Sequence, residues 1–106
     1  MGTSPFFSIG VTTFNRRDML KECLDSIMAQ TYQDFEVVVG NDWTGEQLFL
    51  EEFGISDPRF TIVNHESNLG ECLNMNWLLG RATGRYFTWL SDDDALLPTF
   101  LESIHV

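Results

Sequence analysis

Positive charge is scarce in this sequence. Its 106 residues include six Lys and Arg residues against sixteen Asp and Glu, which gives a formal net charge of −10. That balance argues against a nucleic-acid backbone or an anionic membrane surface as the main partner. A small anionic ligand would need a local compensating charge.

Long apolar runs and a cysteine framework are also missing. No stretch approaches the roughly 20 apolar residues of a membrane-spanning helix, and the start, Met1 to Pro5, lacks the basic and apolar parts of a secretory signal. Cys23 and Cys72 form no CxxC pattern, which favours buried thiols over a disulfide or a zinc site. These absences predict a cytoplasmic protein with both cysteines in its core.

What the sequence does contain is an alternation of strand and helix patterns. Strands are predicted over residues 6–13, 35–40, 59–64 and 85–90. The first predicted helix has Asn15 as its N-cap, and its buried face comprises Met19, Leu20, Cys23, Leu24, Ile27 and Met28. Three further helices are predicted: from Thr44 to about Phe53, from an Asn68 N-cap to about Arg81 with Gly84 beyond its end, and from Pro98.

This alternation predicts an α/β fold, with right-handed crossovers and a mostly parallel sheet that has helices on both faces. Such sheets bind ligands outside the carboxyl ends of their strands. Polar residues follow three of the predicted strands at those ends: Thr12, Thr13 and Asn15; Asn41 and Asp42; and Asp92 to Asp94. We therefore expect one edge of the sheet to carry the chemistry.

The run WLSDDDALLP at residues 89–98 places three carboxylates side by side. At about 5 Å and an effective dielectric near 20, two such charges repel by roughly 3 kcal/mol. A bound cation, backbone N–H donors or exposure to water would each compensate. Mg²⁺ or Mn²⁺ would suit the oxygen ligands, whereas a solvated acidic turn explains the same residues without a ligand.

Several other residues admit two interpretations. Asp42 either accepts hydrogen bonds from a nucleotide or serves as a turn or capping residue, and Asn15 with Arg16 either contacts a nucleotide or begins a helix. Phe14 either stacks on a base or packs. Asn76 within the third helix would need a buried partner, His65 is predicted to lie on the surface, and Trp89 in the core.

Taken in order, five motifs resemble the N-terminal half of family 2 glycosyltransferases, inverting enzymes with the GT-A fold. The family's opening Pro-Thr-Tyr-Asn-Arg-like motif corresponds to residues 12–16, and its Asp-Asp-Gly-Ser-like turn corresponds to residues 41–44. The intervening helix motif is matched by Leu20, Cys23, Leu24, Ser26, Ile27, Gln30, Thr31 and Tyr32. The later motifs are matched by Asn68, Gly70, Asn76, Ala82 and Gly84, and by Asp92, Asp93, Asp94, Leu96 or Leu97, and Pro98.

The resemblance implies a Rossmann-like GT-A domain in truncated form, with residues 1–106 as its nucleotide-sugar-binding part and the acceptor part absent. It implies that the donor, a UDP-sugar first of all, is bound by Thr12, Thr13, Phe14, Asn15, Arg16, Asp42, Asn76 and Asp92. It also implies that Mn²⁺ or Mg²⁺ is held by Asp93, with Asp92 and Asp94 beside it. The general base is expected beyond Val106, so this chain alone is expected to bind nucleotide without transferring sugar.

Other hypotheses follow from the same residues. The acceptor would be a glycan, a lipid or a protein, and missing regions could bring a cytoplasmic enzyme to the membrane face. A non-catalytic nucleotide-binding or interaction module is the alternative function. A receiver-like module fits less well because the first strand ends in Thr-Thr-Phe-Asn rather than in acidic residues. An unpaired sheet edge would favour self-association.

Overall fold

The computed structural model describes residues 4–105. Within that range the chain forms four strands and three helices, in the order β1 (Phe7–Thr13), α1 (Arg17–Met28), β2 (Phe35–Asn41), β3 (Phe60–Asn64), α2 (Glu71–Arg81), β4 (Tyr86–Ser91) and α3 (Phe100–Ile104). A single 3₁₀ turn at Leu50–Phe53 lies between β2 and β3. The predictions about a leader at the first residues and a general base after the last concern positions outside this range.

The strands form one sheet in the order β3-β2-β1-β4, and each pairing is parallel. Thr13 lies opposite Asn41, Thr12 opposite Ser91, and Asn41 opposite Asn64. The strands therefore end level with one another, and the polar residues that follow them meet at one edge. The predicted parallel α/β sheet is confirmed.

Helices cover both faces of this sheet. On one face, Leu20, Cys23, Leu24 and Ile27 of α1 and Leu101 of α3 join a core with the strand residues Phe7, Ile9, Val11, Phe35, Val37, Val39, Phe60 and Leu90. On the other face, α2 packs against Gly10 and Gly40. A Cβ atom at Gly10 would lie 3.1 Å from Cβ of Leu78, so these glycines let the helix approach the sheet closely.

The helix starts differ from the predictions. Arg16 rather than Asn15 is the residue before α1, and it makes no side-chain capping bond. Asn15 instead has a φ of 54°, a left-handed conformation that asparagine tolerates better than most residues. Gly70, with a φ of 84°, precedes α2, whereas Nδ2 of Asn68 donates to the carbonyl oxygen of Asp42.

The predicted helix from Thr44 to Phe53 is wrong except for its last turn. The amide of Asn41 donates to the carbonyl oxygen of Glu46 over 3.0 Å. The amide of Asn64 accepts from N of Leu48 over 2.9 Å and donates to its carbonyl oxygen over 3.0 Å. Because these strand-end amides take the backbone groups that a helix would pair internally, the segment follows the sheet edge as a loop.

Other burial predictions also needed correction. Met19 and Met28 of α1 are exposed, as is Cys72 of α2, while Cys23 is buried as expected. Trp89 is 42% exposed because β4 is an edge strand of the sheet. The last helix begins at Phe100, after a turn at Pro98 and Thr99.

Among residues 4–105, no helix combines the length and the apolar character that crossing a membrane requires.

Candidate nucleotide-sugar site

Asp92 is the most buried member of the acidic triplet, with 3% of its surface exposed. It follows β4, and its backbone N–H donates to the carbonyl oxygen of Thr12 over 3.0 Å. Its Oδ2 atom accepts a hydrogen bond of 2.8 Å from Oγ1 of Thr13 and a longer one of 3.4 Å from N of Phe14. The end of β1 therefore fixes this carboxylate at the carboxyl edge of the sheet.

Arg16 faces both Asp92 and Asp93. Its Nη1 atom lies 3.5 Å from Oδ1 of Asp92 and 3.5 Å from Oδ2 of Asp93. The side chains of Arg16 and Asp93 are each half exposed, whereas that of Asp92 is buried. The site thus has a solvent-exposed side, formed by Arg16 and Asp93, and a buried side, formed by the carboxylate of Asp92.

Asp94 points elsewhere. Its Oδ2 atom accepts from N of Ser91 over 3.1 Å, and its own N–H donates to the carbonyl oxygen of Ser91 over 3.0 Å. The third carboxylate thereby closes the turn after β4. Of the three predicted metal-binding aspartates, the structure brings Asp92 and Asp93 together on one guanidinium and assigns Asp94 to a turn.

The repulsion expected within the triplet is therefore offset by a different group at each position. Asp92 has a hydroxyl and an N–H donor, Asp93 has Arg16 and water, and Asp94 has a backbone N–H. The negative charge of the triplet also affects a buried thiol in the core. Burial raises the pKa of the Cys23 thiol to about 12, and the negative charges of Asp92, Asp94 and Asp93 contribute to that rise, so this thiol stays protonated at neutral pH.

A small cavity of about 60 Å³ opens at this edge, lined by Thr12, Thr13, Phe14, Arg16, Glu71, Ser91 and Asp92. Five of these residues were predicted from the sequence to bind the donor. Glu71, the first residue of α2, was not among the predicted residues. Asn15 lies beside Arg16 in a neighbouring crevice that is also lined by Trp43 and Glu46, and Phe14 is 48% exposed, which leaves its ring free to stack.

Asp42 is buried at the end of β2, beside the first strand. Its N–H donates to the carbonyl oxygen of Thr13 over 3.0 Å. Its carboxylate accepts from N of Leu69 over 2.6 Å and from N of Gly70 over 2.9 Å. Asp42 thus holds the loop before α2 rather than capping the helix predicted from Thr44, and each oxygen keeps a further lone pair for a ligand.

The buried amide of α2 belongs to Asn74 and not to Asn76. Asn76 is exposed, because it lies two residues from Asn74 and hence on the far side of a helix with 3.6 residues per turn. Asn74 is 1% exposed; its Nδ2 donates to the carbonyl oxygen of Gly40 over 3.0 Å, and its Oδ1 lies 2.8 Å from Nε2 of His65. His65 is therefore half-buried rather than a surface residue.

Asn74 could not be distinguished from Asn76 in the sequence because both asparagines lie in the same predicted helix. The signal that separates them is Gly40, which leaves room on β2 for a polar side chain from the opposite helix. A Cβ atom at Gly40 would lie 2.3 Å from Oδ1 of Asn74.

Two residues of the helix motif hold the segment that follows the triplet. Gln30 donates to the carbonyl oxygen of Leu97 over 2.7 Å and accepts from N of Leu101 over 3.0 Å. Oγ of Ser26 accepts from N of Leu96 over 3.0 Å. These bonds fix residues 96–101 against the end of α1, so the triplet lies between two anchored segments.

The residues present fit a hard divalent cation in part. No group of three or more His, Cys, Asp or Glu side chains in the described range is arranged to hold a metal ion. Mg²⁺ commonly uses one or two carboxylates and completes its coordination with water and substrate phosphates. Asp92 and Asp93 supply that many oxygen donors, next to a cavity with a positive side chain.

A parallel sheet with helices on both faces and carboxylates beyond its carboxyl edge defines the class as a Rossmann-like α/β domain, which agrees with the GT-A fold that the sequence resemblance implies. The profile of "Glycosyl transferase family 2" matches residues 8–104. The chain belongs to glycosyl transferase family 2, a family of enzymes.

Relatives agree with this assignment. An uncharacterised glycosyltransferase of Haemophilus influenzae is 33% identical over 98% of this chain and 33% of its own length. The putative colanic acid biosynthesis glycosyl transferase WcaA of Escherichia coli is 29% identical over 95% of this chain and 37% of its own length. The chain spans about a third of the length of these relatives.

Solved structures share the fold. TarS 1-349 from S. aureus in complex with UDP-GlcNAc superposes with a TM-score of 0.81 and is 26% identical, covering 92% of this chain and 29% of that one. The same protein is also known in complex with UDP. The mannosyltransferase PcManGT from Pyrobaculum calidifontis, in complex with GDP-Man and Mn²⁺, superposes with a TM-score of 0.72 and is 24% identical. The match covers 88% of this chain and 29% of that one, and at this identity it shows a shared fold and nothing more.

Proposed function

We propose that this chain is the donor-binding part of a glycosyltransferase that moves a sugar from a nucleoside-diphosphate sugar to an acceptor hydroxyl. The observation that carries the proposal is the placement of Asp92, Asp93 and Arg16 together at the carboxyl edge of the sheet in a chain of family 2. A parallel sheet binds ligands at that edge. Two carboxylates and a guanidinium beside a cavity suit a diphosphate that arrives with a cation.

The donor nucleotide is proposed to lie along the ends of β1 and β2. Thr12, Thr13 and Phe14 line the cavity, and the exposed ring of Phe14 offers a stacking face. Asn15 lines the neighbouring crevice, and the N–H of Asp42 donates to the carbonyl oxygen of Thr13. A UDP-sugar is the donor favoured here, since TarS binds UDP and UDP-GlcNAc. Asn76, exposed on α2 and outside the lining of the cavity, is the predicted donor contact that receives least support.

Mn²⁺ or Mg²⁺ is proposed to be held by Asp93 and Asp92, with water and donor phosphates completing its ligands. When bound, such an ion acts as a Lewis acid that stabilises the leaving nucleoside diphosphate. Asp92 is fixed by Thr13, so the chain presents one rigid carboxylate. Asp93 is half exposed and free to adjust.

The remaining features are proposals for the longer protein. Attack by the acceptor on the anomeric carbon from the side opposite the diphosphate would invert its configuration, with a general base supplied outside residues 1–106. The acceptor class, whether glycan, lipid or protein, and a cytoplasmic location at or near the membrane face belong to that longer chain. Fractionation of cells that express it would test the location.

Donor binding is tested by calorimetric titration and thermal shift of the 106-residue chain with UDP, GDP and TDP, each with and without Mn²⁺. A ligand present at a concentration of one hundred times its dissociation constant should raise the free energy of unfolding by about 2.7 kcal/mol. We expect UDP with Mn²⁺ to give the largest shift and Asp93→Asn to abolish the effect of Mn²⁺. Asp34→Asn, which removes an exposed carboxylate before β2, is the charge-matched control.

The alternative of a non-catalytic interaction module makes a different prediction. A stable chain that responds to none of these nucleotides, with or without the cation, would contradict donor binding by residues 1–106. Sugar transfer by the chain alone would instead contradict the proposal that the general base lies outside it.

A further inference from the structure

We propose that Arg16 is a built-in competitor of the divalent cation, and that the cation takes Asp92 and Asp93 only when the guanidinium leaves them. This inference rests on the proposed function, because it concerns the cation and the diphosphate of the same site. The family resemblance implies only that Arg16 binds the donor, and the competition with the cation goes beyond it.

The geometry places one positive group at the two oxygens that a cation would use. Nη1 of Arg16 is 3.5 Å from Oδ1 of Asp92 and 3.5 Å from Oδ2 of Asp93. The other oxygen of Asp92 is already bound by the Thr13 hydroxyl and the Phe14 N–H. A cation that binds Asp92 must therefore approach Oδ1, the oxygen that faces Arg16, where a guanidinium repels it.

The contacts of Arg16 are weak enough to be exchanged. Distances of 3.5 Å are longer than the roughly 2.7 to 3.2 Å of an ordinary N–H···O bond. The neighbouring Arg17 differs, because its guanidinium contacts Glu46 over 3.0 Å and Glu52 over 2.7 Å. Charge attraction rather than close hydrogen bonding holds Arg16, and its half-exposed side chain has water into which to move.

Once displaced, Arg16 needs a new anion, and a diphosphate at the cavity supplies one. Arg16 lines that cavity together with Thr12 and Asp92, and a guanidinium binds phosphate oxygens in a bidentate manner. The cation and the nucleotide should therefore strengthen each other's binding, since the nucleotide accepts the arginine that the cation releases. Such coupling is reciprocal by thermodynamic necessity.

This inference predicts that one variant strengthens the binding of Mn²⁺ alone and weakens the coupling between Mn²⁺ and UDP. We expect Arg16→Ala to bind Mn²⁺ alone about tenfold more tightly than the wild type, a change of about 1.4 kcal/mol. The same variant should lose most of the gain in Mn²⁺ affinity that UDP gives the wild type. Arg16→Lys, which keeps the charge, should stay closer to the wild type in binding Mn²⁺ alone.

The experiment is a titration of the 106-residue chain with Mn²⁺, carried out without and with UDP. Binding is measured by calorimetry and by the electron paramagnetic resonance signal of free Mn²⁺. Arg17→Ala is the matched control: it changes the net charge equally and lies one residue away, but its partners are Glu46 and Glu52. It should bind Mn²⁺ as the wild type does. Circular dichroism checks that each variant is folded, and Arg16→Gln repeats the test with a longer neutral side chain.

Equal or weaker Mn²⁺ binding by Arg16→Ala and Arg16→Gln would overturn the inference. The absence of Mn²⁺ binding in the wild type and in both variants would also overturn it. Asp92 and Asp93 would then have Arg16, and not a metal ion, as their positive partner. In that second case, UDP binding by the wild type would still support the proposed function. Because the Mn²⁺ titration needs no nucleotide, the two failures can be told apart.

Discussion

The hydroxyl of Thr13 lies 2.8 Å from Oδ2 of Asp92 and joins the last residue of β1 to the first residue after β4. Both side chains are buried. This bond crosses 79 residues of sequence, so the acidic triplet takes its place only when the sheet has formed. The site is a product of strand order rather than of a local motif.

Replacing Thr13 by Val removes the donor and leaves a buried carboxylate oxygen with one weaker partner. We expect the free energy of unfolding to fall by about 1 to 3 kcal/mol, measured by urea denaturation at neutral pH. Thr13→Ser, which keeps the hydroxyl, should recover most of the loss. Thr61→Val makes the same change at an exposed position of β3 and serves as control; equal losses in both variants would contradict the role of the Thr13–Asp92 bond.

Glu36 gives the fold a dependence on acid at the opposite end of the sheet. Its Oε2 atom accepts from the hydroxyl of Ser8, and from N and Oγ1 of Thr83 over 2.7 and 2.9 Å. Burial raises the pKa of Glu36, but the hydrogen bonds from Ser8 and Thr83 outweigh burial and hold the pKa below its ordinary value. Glu36 therefore stabilises the folded chain above its unfolded pKa of about 4.3, and this contribution is lost as pH falls through the lower folded pKa.

Glu36→Gln tests that dependence through chemical denaturation at a series of pH values. The wild type should exceed the variant in stability most at neutral pH, and the difference should shrink below about pH 4. Glu66→Gln, at an exposed glutamate, is the comparison. A difference between wild type and Glu36→Gln that stays constant across the acid range would show that the carboxylate's charge is not what matters.

The predicted self-association concerns the outer side of β4, an edge strand that carries the exposed rings of Tyr86 and Trp89. An open cavity of about 410 Å³ runs beside it, lined by Phe6, Phe7, Tyr86, Phe87, Thr88 and Ile104. The sequence of β4, YFTWLS, contains neither a charged residue nor a proline. Both commonly protect the edge strands of sheets from pairing with another chain. The net charge of −10 acts against association.

Sedimentation velocity over a wide range of protein concentration tests this prediction. Association through the edge should increase with ionic strength, because salt screens the repulsion between copies. Thr88→Lys should shift the chain toward monomer, whereas Thr61→Lys on β3 should do so less. A monomer at the highest concentration and salt would refute the prediction.

The strands and the two longer helices, α1 and α2, could be predicted because their apolar patterns repeat locally. The helix from Thr44 could not be excluded in the same way, since what prevents it is the pair of amides on Asn41 and Asn64, which meet only across β2 and β3. The predicted burial of Cys72 and Trp89 was wrong for a related reason. A periodic pattern shows which residues share a face, but not whether another element covers that face.

The candidate site shows the same limit. The polar residues after the strands could be placed at one edge because parallel strands share a direction, and the Arg16 contacts with Asp92 and Asp93 agree with that placement. Which aspartate faces the cavity and which closes a turn depends on hydrogen bonds that the sequence does not reveal. Asn74 was missed because its significance comes from Gly40, 34 residues away.

Gly40 and Asn74 provide a stringent test of the α2 packing. All three atoms nearest to a Cβ at Gly40 belong to the side chain of Asn74, at 2.3, 3.1 and 3.3 Å. Gly40→Ala should therefore lower the free energy of unfolding by about 1 to 3 kcal/mol through overpacking. Asn74→Ala should cost a similar amount because it removes the partner of a buried carbonyl.

The double variant decides between packing and a general loss of stability. Once Asn74 is alanine, the added methyl at Gly40 meets none of those three atoms, so we expect Gly40→Ala with Asn74→Ala to cost less than the sum of the single variants by about 1 kcal/mol or more. Urea denaturation of the four proteins completes the cycle. Gly80→Ala, at a helix position where a Cβ meets open space, should combine additively with Asn74→Ala. Additive losses for Gly40 and Asn74 would mean that the helix shifts to accommodate the methyl group, and that the close approach of α2 to β2 is not fixed by this amide.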